Sequence, residues 1–125
     1  MAPTLLVDDD EDWTVALQEY FDLLALPLVI AHDGREALRL LRDGLRPAVI
    51  VLDLEMPGMS GTSFRFGQLA EADGASVPLI VCSGASDAQA IAALLGANAC
   101  FDKPVSPLLL ARTVQRLGEA HDTSA

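Results

Sequence analysis

Basic residues are scarce in this chain: eight lysines and arginines stand against 18 aspartates and glutamates, for a formal net charge of −10. Phosphate backbones and anionic lipid surfaces repel such a polypeptide, so direct contact with nucleic acid or a membrane is not expected. Cysteine is nearly absent. Cys82 and Cys100 lie far apart and form no Cys-x-x-Cys pair, so a zinc site lacks its ligands. Both read as buried, inert thiols in a reducing compartment. His32 and His121 have no companion ligand and receive no role. No apolar run is long enough to span a bilayer, and no basic-then-apolar leader opens the chain, so a cytoplasmic location is expected. Linkers, low-complexity tracts and internal repeats are missing too, which excludes a solenoid.

What remains is a chain of 125 residues, 51% of them hydrophobic, enough to bury the core of a single domain. Short apolar runs recur at 4–8 (TLLVD), 27–31 (PLVIA), 48–53 (AVIVLD), 78–83 (PLIVCS) and 99–103 (ACFDK). Each has strand length, and most are apolar on both faces, as in a parallel sheet covered on both sides. Helical spacing fills the gaps, over 11–25, 34–44, 62–72, 87–95 and 105–117. One of Asp10, Glu11 and Asp12 should cap the first of these helices. Asp33 with Glu36, and Ser86 with Gln89, have the spacing of capping boxes, and Gly96 suits a C-terminal cap. Gly67 weakens the third helix. The stretch after residue 118 reads as a fraying tail. The expected fold class is α/β: five parallel strands with helices on both faces.

In such a sheet, ligands bind beyond the carboxyl ends of the strands. The first strand ends in Asp8 and Asp9, the third in Asp53, the fourth in Ser83 and the fifth in Lys103. Crowded carboxylates repel one another and resist desolvation, and a cation offsets this. Oxygen ligands without histidine or cysteine favour Mg2+, with Mn2+ as the alternative. Magnesium commonly takes one or two carboxylates plus phosphate oxygens, so the same site is suited to a phosphoryl group. Lys103 and Ser83 offer a positive charge and a hydroxyl to phosphoryl oxygens. Asp53 can serve as a nucleophile that forms an acyl phosphate.

The segments LLVDDDED, VLDLEMPGMSG, VCSGAS and FDKP, in that order and each at a strand end, resemble the receiver domain of bacterial two-component response regulators. The resemblance covers essentially the whole chain. It implies the flavodoxin-like (βα)5 fold with strand order 2-1-3-4-5, a receiver domain over residues 1–118 and a tail over 119–125. It implies phosphorylation of Asp53, metal binding by Asp8, Asp9, Asp53 and the backbone carbonyl of Glu55, and phosphoryl contacts from Ser83 and Lys103. Met56, Pro57, Gly61, Gly84 and Pro104 would shape the loops, with a cis Lys103–Pro104 bond. The implied partner is a histidine kinase or a histidine phosphotransfer protein. The downstream target is unnamed, and a homodimer through the fourth helix, fifth strand and fifth helix is left open.

One departure stands out. The family usually places an aromatic residue three positions before the lysine, where this chain has Cys100, and Phe101 should face the other side of its strand. Two alternatives accompany the main reading. One is a receiver-like interaction module that is never phosphorylated. The other is a small magnesium phosphatase of the haloacid-dehalogenase type, against which Glu55 and Pro57 stand where that family needs a second aspartate and a threonine or valine.

Overall fold

The strands form where β-branched and leucine side chains run together. They are β1 (Thr4–Val7), β2 (Leu28–Ala31), β3 (Val49–Leu52), β4 (Leu79–Ser83) and β5 (Ala99–Asp102). In this computed structural model, which describes residues 2–56, 58–70 and 77–123, all five lie parallel in the order β2-β1-β3-β4-β5. Every residue of β1, β3 and β4 is buried, whereas the two edge strands are mostly half-exposed. The continuous apolar runs are thus the central strands, covered on both faces.

Alternate residues of the strands feed two cores. Leu5, Val7, Ile50, Leu52, Leu79 and Val81 point to one face, where they meet Ala37, Leu38, Phe64, Ala92 and Leu95. Leu6, Val49, Val51, Ile80 and Cys82 point to the other, against Leu17, Phe21, Leu110 and Val114. The first core is therefore roofed by α2 (Gly34–Arg42), α3 (Gly61–Leu69) and α4 (Ala88–Leu94). The second is roofed by α1 (Glu11–Leu23) and α5 (Pro107–Thr123). Each fully buried Leu or Ile contributes roughly 1.5–3 kcal/mol, so the central strands are the rigid base on which their ends are held.

Asp10 caps α1, its carboxylate accepting from Trp13 N, and Asp33 caps α2 by accepting from Glu36 N at 2.8 Å. Gly96, at φ 74°, closes α4. Helix boundaries differ from the sequence reading by a few residues, and three helices show why. The first is the start of α4, where Asp87 is the N-cap rather than Ser86, without a side-chain cap bond. Ala88 N donates to Ala85 O instead, a turn that delays the helix by one residue. The second is α5, which starts at Pro107 because Ser106 caps it, its hydroxyl accepting from Leu109 N. At its other end α5 runs to Thr123, past Gly118, since one glycine without a following proline does not stop a helix. The third is α3, read as reaching 72: it ends at Leu69, and residues 71 and 72 lie outside the described ones.

Gly67, read as a weakness, is what lets α3 approach α2: a Cβ there would lie 2.9 Å from Leu38 Cδ1. Ala25 adopts φ 56° just after α1, a left-handed turn closed by Leu26 N donating to Phe21 O at 2.8 Å.

Candidate functional site

The parallel sheet brings the carboxyl ends of β1, β3, β4 and β5 to one edge. Asp8 and Asp53 are the residues immediately after β1 and β3, and both are buried, at 1% and 6% exposure. Asp9 follows on the exposed side. One carboxylate oxygen from each of the three lies within 4.8 Å of the others. The backbone holds two of these carboxylates in place: Asp10 N donates to Asp8 Oδ1 at 3.0 Å, and Glu55 N donates to Asp53 Oδ1 at 3.2 Å.

Lys103 reaches in from just past β5. Its Nζ donates to Asp8 Oδ2 at 2.7 Å and lies 3.5 Å from Asp53 Oδ2. Its charge is shared between two carboxylates, which leaves the site with excess negative charge. Burial pushes the Asp8 carboxyl upward, more than the hydrogen bonds from Lys103 and the Asp10 amide bring it down. Burial also opposes the charge on Lys103. The hydrogen bond to Asp8 and the charges of Asp8 and Asp53 outweigh that burial and raise the lysine further. This is a site in want of a second cation. The donors are all oxygen, one of the carboxylates is open to solvent, and the spacing is close, so the residues suit a hard divalent ion.

Ser83 is fully buried at the end of β4, and its hydroxyl accepts from Ala85 N at 3.2 Å. The Lys103–Pro104 peptide is cis. Gly61 is demanded by close packing: a Cβ there would lie 2.3 Å from Asp53 O and 2.8 Å from Leu54 Cα. No other residue lets α3 start so near the end of β3. Gly84, by contrast, has open space around it and no left-handed φ, so the structure shows no steric need for glycine there. Met56 is partly buried against the α2–α4 core. Pro57 lies outside the described residues.

Cys100 pairs in register with Val81 and packs on the α4 side, while Phe101 pairs with Cys82 and packs on the α5 side. The alternation expected for Phe101 holds, and a small thiol occupies the α4 side of β5. Cys82 is buried, as read from the sequence, and desolvation pushes its thiol up to about 12. Cys100 is half-buried rather than buried, because β5 is the edge strand.

Four contributors escaped the sequence reading. Gly58 takes φ 78°, for which the Pro–Gly dipeptide was the available signal. Arg65 is 5% exposed, and its Nε donates to Leu95 O at the end of α4, a long-range contact with no local signature. Gln68 accepts from Arg65 Nη1 at 2.6 Å. Trp13 Nε1 is buried and has no hydrogen-bond partner among the described residues, an omission of about 1–3 kcal/mol.

Comparison with known proteins agrees with this geometry. The family model described as "Response regulator receiver domain" matches residues 4–115. The chain is a response regulator receiver domain. This receiver is 31% identical to the transcriptional regulatory protein CpxR of Klebsiella pneumoniae subsp. pneumoniae, over 97% of the chain and 51% of that protein. It is 38% identical to the transcriptional regulatory protein PrrA of Mycobacterium tuberculosis, over 90% of the chain and 47% of that protein. The chain thus spans about half the length of the curated relatives it matches. Among solved structures, the chemotaxis protein CheY4 of Vibrio cholerae superimposes with a TM-score of 0.81 at 27% identity, covering 94% of this chain and 98% of that one. The receiver domain of the sensor histidine kinase PA1611 from Pseudomonas aeruginosa gives 0.83 at 24% identity over 94% and 98%, a likeness of fold; that structure is described with a magnesium ion in its active site cleft. Among the described residues, no helix is long and apolar enough to cross a membrane.

Proposed function

We propose that this receiver accepts a phosphoryl group on Asp53 from the phosphohistidine of a histidine kinase or histidine phosphotransfer protein. The observation that carries the reading is the placement of Asp53. Its carboxylate is held at a buried strand end, one oxygen fixed by Glu55 N and the other 3.5 Å from Lys103 Nζ. A nucleophile fixed this way loses little freedom on reaching the transition state. Asp8, Asp9, Asp53 and the carbonyl of Glu55 would hold Mg2+, which when bound offsets the charge of the carboxylates and of the incoming phosphoryl oxygens.

The chain's own groups do the rest. An Asp53 oxygen attacks phosphorus, a P–O bond forms, and the P–N bond to the donor imidazole breaks. Lys103 swings part of its charge from Asp8 toward the transferred oxygens. The Ser83 hydroxyl exchanges its acceptor role toward Ala85 N for a donor role toward the phosphoryl group, a charge-assisted bond of greater strength. The loop after β4 and the start of α4 follow, and a partner reads the altered surface. On this reading the domain catalyses its own modification and acts on no metabolite.

The test is incubation with acetyl phosphate and magnesium, read by intact mass. One phosphoryl group is expected on the wild type and none on Asp53→Asn, since an amide forms no acyl phosphate. Equal labelling of the variant would remove Asp53 from this role.

A further inference from the structure

One charged side chain takes no part in the acidic site. Arg65 faces inward from α3 and is 5% exposed, yet no carboxylate among the described residues pairs with it. Burial lowers its guanidinium, and no neighbouring charge offsets that. A buried cation is a poor way to fill a core, because an apolar side chain of similar volume commonly serves stability as well or better. What a guanidinium adds is direction. Its Nε donates to Leu95 O at 3.1 Å and its Nη1 to Gln68 Oε1 at 2.6 Å. The planar fork is thus steadied by its own helix on one side and grips the end of α4 on the other.

That grip is not needed to end α4. Gly96 N donates to Ala93 O and Ala97 N to Ala92 O, a glycine turn that closes the helix by itself. The end of α2 offers a contrast: Arg46 donates to Leu41 O and Leu45 O, but it is exposed and local, and ties α2 to no other element. Arg65 reaches Leu95 across 30 positions. Three residues further on, Asn98 N donates to Leu79 O at 2.7 Å and Asn98 Oδ1 accepts from Leu79 N at 2.9 Å, which fixes the chain after α4 to β4. The opposite end of the helix is held less. Its N-cap, Asp87, makes no side-chain cap bond, and the segment before it leads directly from Ser83. Between the two ends the buried side chains of α4 are alanines, Ala88 and Ala92, in a core that also contains the small Ala97 and Cys100.

We propose that Arg65 is a positioning residue that makes the C-terminal end of α4 a pivot. When the loop after Ser83 moves, the helix turns about Leu95 and does not slide along the sheet as a unit. Seven helical residues give a lever of about 10 Å. The surface that changes is then 84–90, where Gln89 and Ala90 are exposed. Leu94, 86% exposed beside the pivot, keeps its place. An apolar contact is thereby constant in both states, while the other end of the helix varies. The turning rests on Asp53 being the phosphoacceptor; the grip of Arg65 on α4 does not.

Two measurements test this on wild type, Arg65→Met, which keeps length without donors, and Arg65→Lys, which keeps the charge without the fork. The first is amide hydrogen exchange without any phosphodonor. It is read as the ratio of opening at Leu95, Gly96 and Ala97 to opening at Ile80 and Val81 in β4. Arg65→Met should raise the ratio about tenfold, the low end for losing a hydrogen bond from a charged group, and Arg65→Lys should raise it less. A merely structural role would speed both sets by one factor, and that unchanged ratio would overturn the proposal. The second is the change in backbone amide shifts on adding beryllofluoride, a phosphoryl mimic, with magnesium. In wild type the changes should concentrate over 84–90 and fade by 93–97, and in Arg65→Met they should extend through 93–97. Equal changes along the whole helix in wild type, or the same fading in Arg65→Met, would overturn the pivot. Should Arg65→Met fail to fold, Arg65→Lys decides on the same two readings. No response at 52–55 in wild type is a different result: it refutes the phosphoacceptor reading beneath, while the exchange ratio still judges the grip.

Discussion

The two ends of the sheet are built from the same five strands and could hardly differ more. At the carboxyl end, Asp8, Asp53 and Ser83 are buried polar groups, with Lys103 reaching in among them. At the amino end, Ala2, Thr4, Leu26, Pro27, Ala48, Val49 and Val114 close over a space of only about 10 Å³. One end concentrates charge that would rather be hydrated, and the other is packed apolar matter with one amide nearby. The difference teaches how a small domain carries a reactive site. The central strands and the closed end supply the stability, and the open end holds carboxylates at close range against their own repulsion. Stability and function here occupy opposite ends of the same backbone segments, a few residues apart.

The largest expected effect breaks the contact that joins the end of β3 and α3. Gly61→Ala forces a Cβ into the backbone of Asp53 and Leu54, where nothing flexible can yield. Destabilisation of about 3 kcal/mol, at the upper end for overpacking, is expected in urea unfolding, together with reduced labelling of Asp53. A loss of under about 1 kcal/mol would mean that the two segments shift apart freely, unlike ordinary overpacking.

The second prediction asks whether the charged end opposes folding. Burial raises the Asp8 carboxyl above its ordinary value despite Lys103. A carboxyl raised in the folded state binds its proton more tightly there than in the unfolded chain. Its contribution to stability is full below the unfolded value of 3.8 and is lost as pH rises through the folded one. Asp8→Asn removes that titration. In the absence of divalent metal, the variant should therefore gain on the wild type as pH rises from acid to neutral. Paired urea midpoints at both pH values test it, and a constant gap would show that Asp8 is not strained by burial.

A smaller effect separates the two thiols. The Cys82 thiol, pushed up to about 12 and buried, should resist Ellman's reagent in the native protein at mildly alkaline pH. Cys100, half-buried on the edge strand, should react first though slowly, since burial raises its thiol as well. Equal rates would mean that labelling proceeds through global unfolding.

How much of this was legible beforehand follows from which signals are local. The strands, their order of residues and the convergence of Asp8, Asp9, Asp53, Ser83 and Lys103 could be read, because periodicity and strand ends are local and parallel topology does the gathering. Asp33 as a cap was legible for the same reason, and Asp10 as one of three neighbouring candidates. The packing role of Gly67 was not legible, because it depends on Leu38, 29 positions away in another helix. Arg65, which bonds Leu95 O across 30 positions, had no sequence signature at all. The start of α4 slipped because Ser86 and Asp87 are both good caps in composition. A turn between Ala85 and Ala88 made the choice.

The smallest prediction concerns the closed end of the sheet. Left-handed backbone in a residue with a Cβ is often found at functional sites, but here it sits at Ala25, in the turn that leads into β2 at the inert end. The turn is required by connectivity, because α1 must reverse into the edge strand, and the Leu26 N to Phe21 O bond of 2.8 Å closes it in the manner of a glycine cap. Alanine in that conformation costs roughly 1–2 kcal/mol relative to glycine. Glycine in turn loses more chain entropy on folding, about 0.4–1 kcal/mol. The balance favours Ala25→Gly by about 0.5–1 kcal/mol, a shift of a few degrees in thermal unfolding. The acidic cluster lies at the far end of the strands, so the rate of Asp53 labelling should not change. A variant that melted higher but labelled more slowly would show that the two ends are coupled through the sheet, and the separation of stability from function would fail.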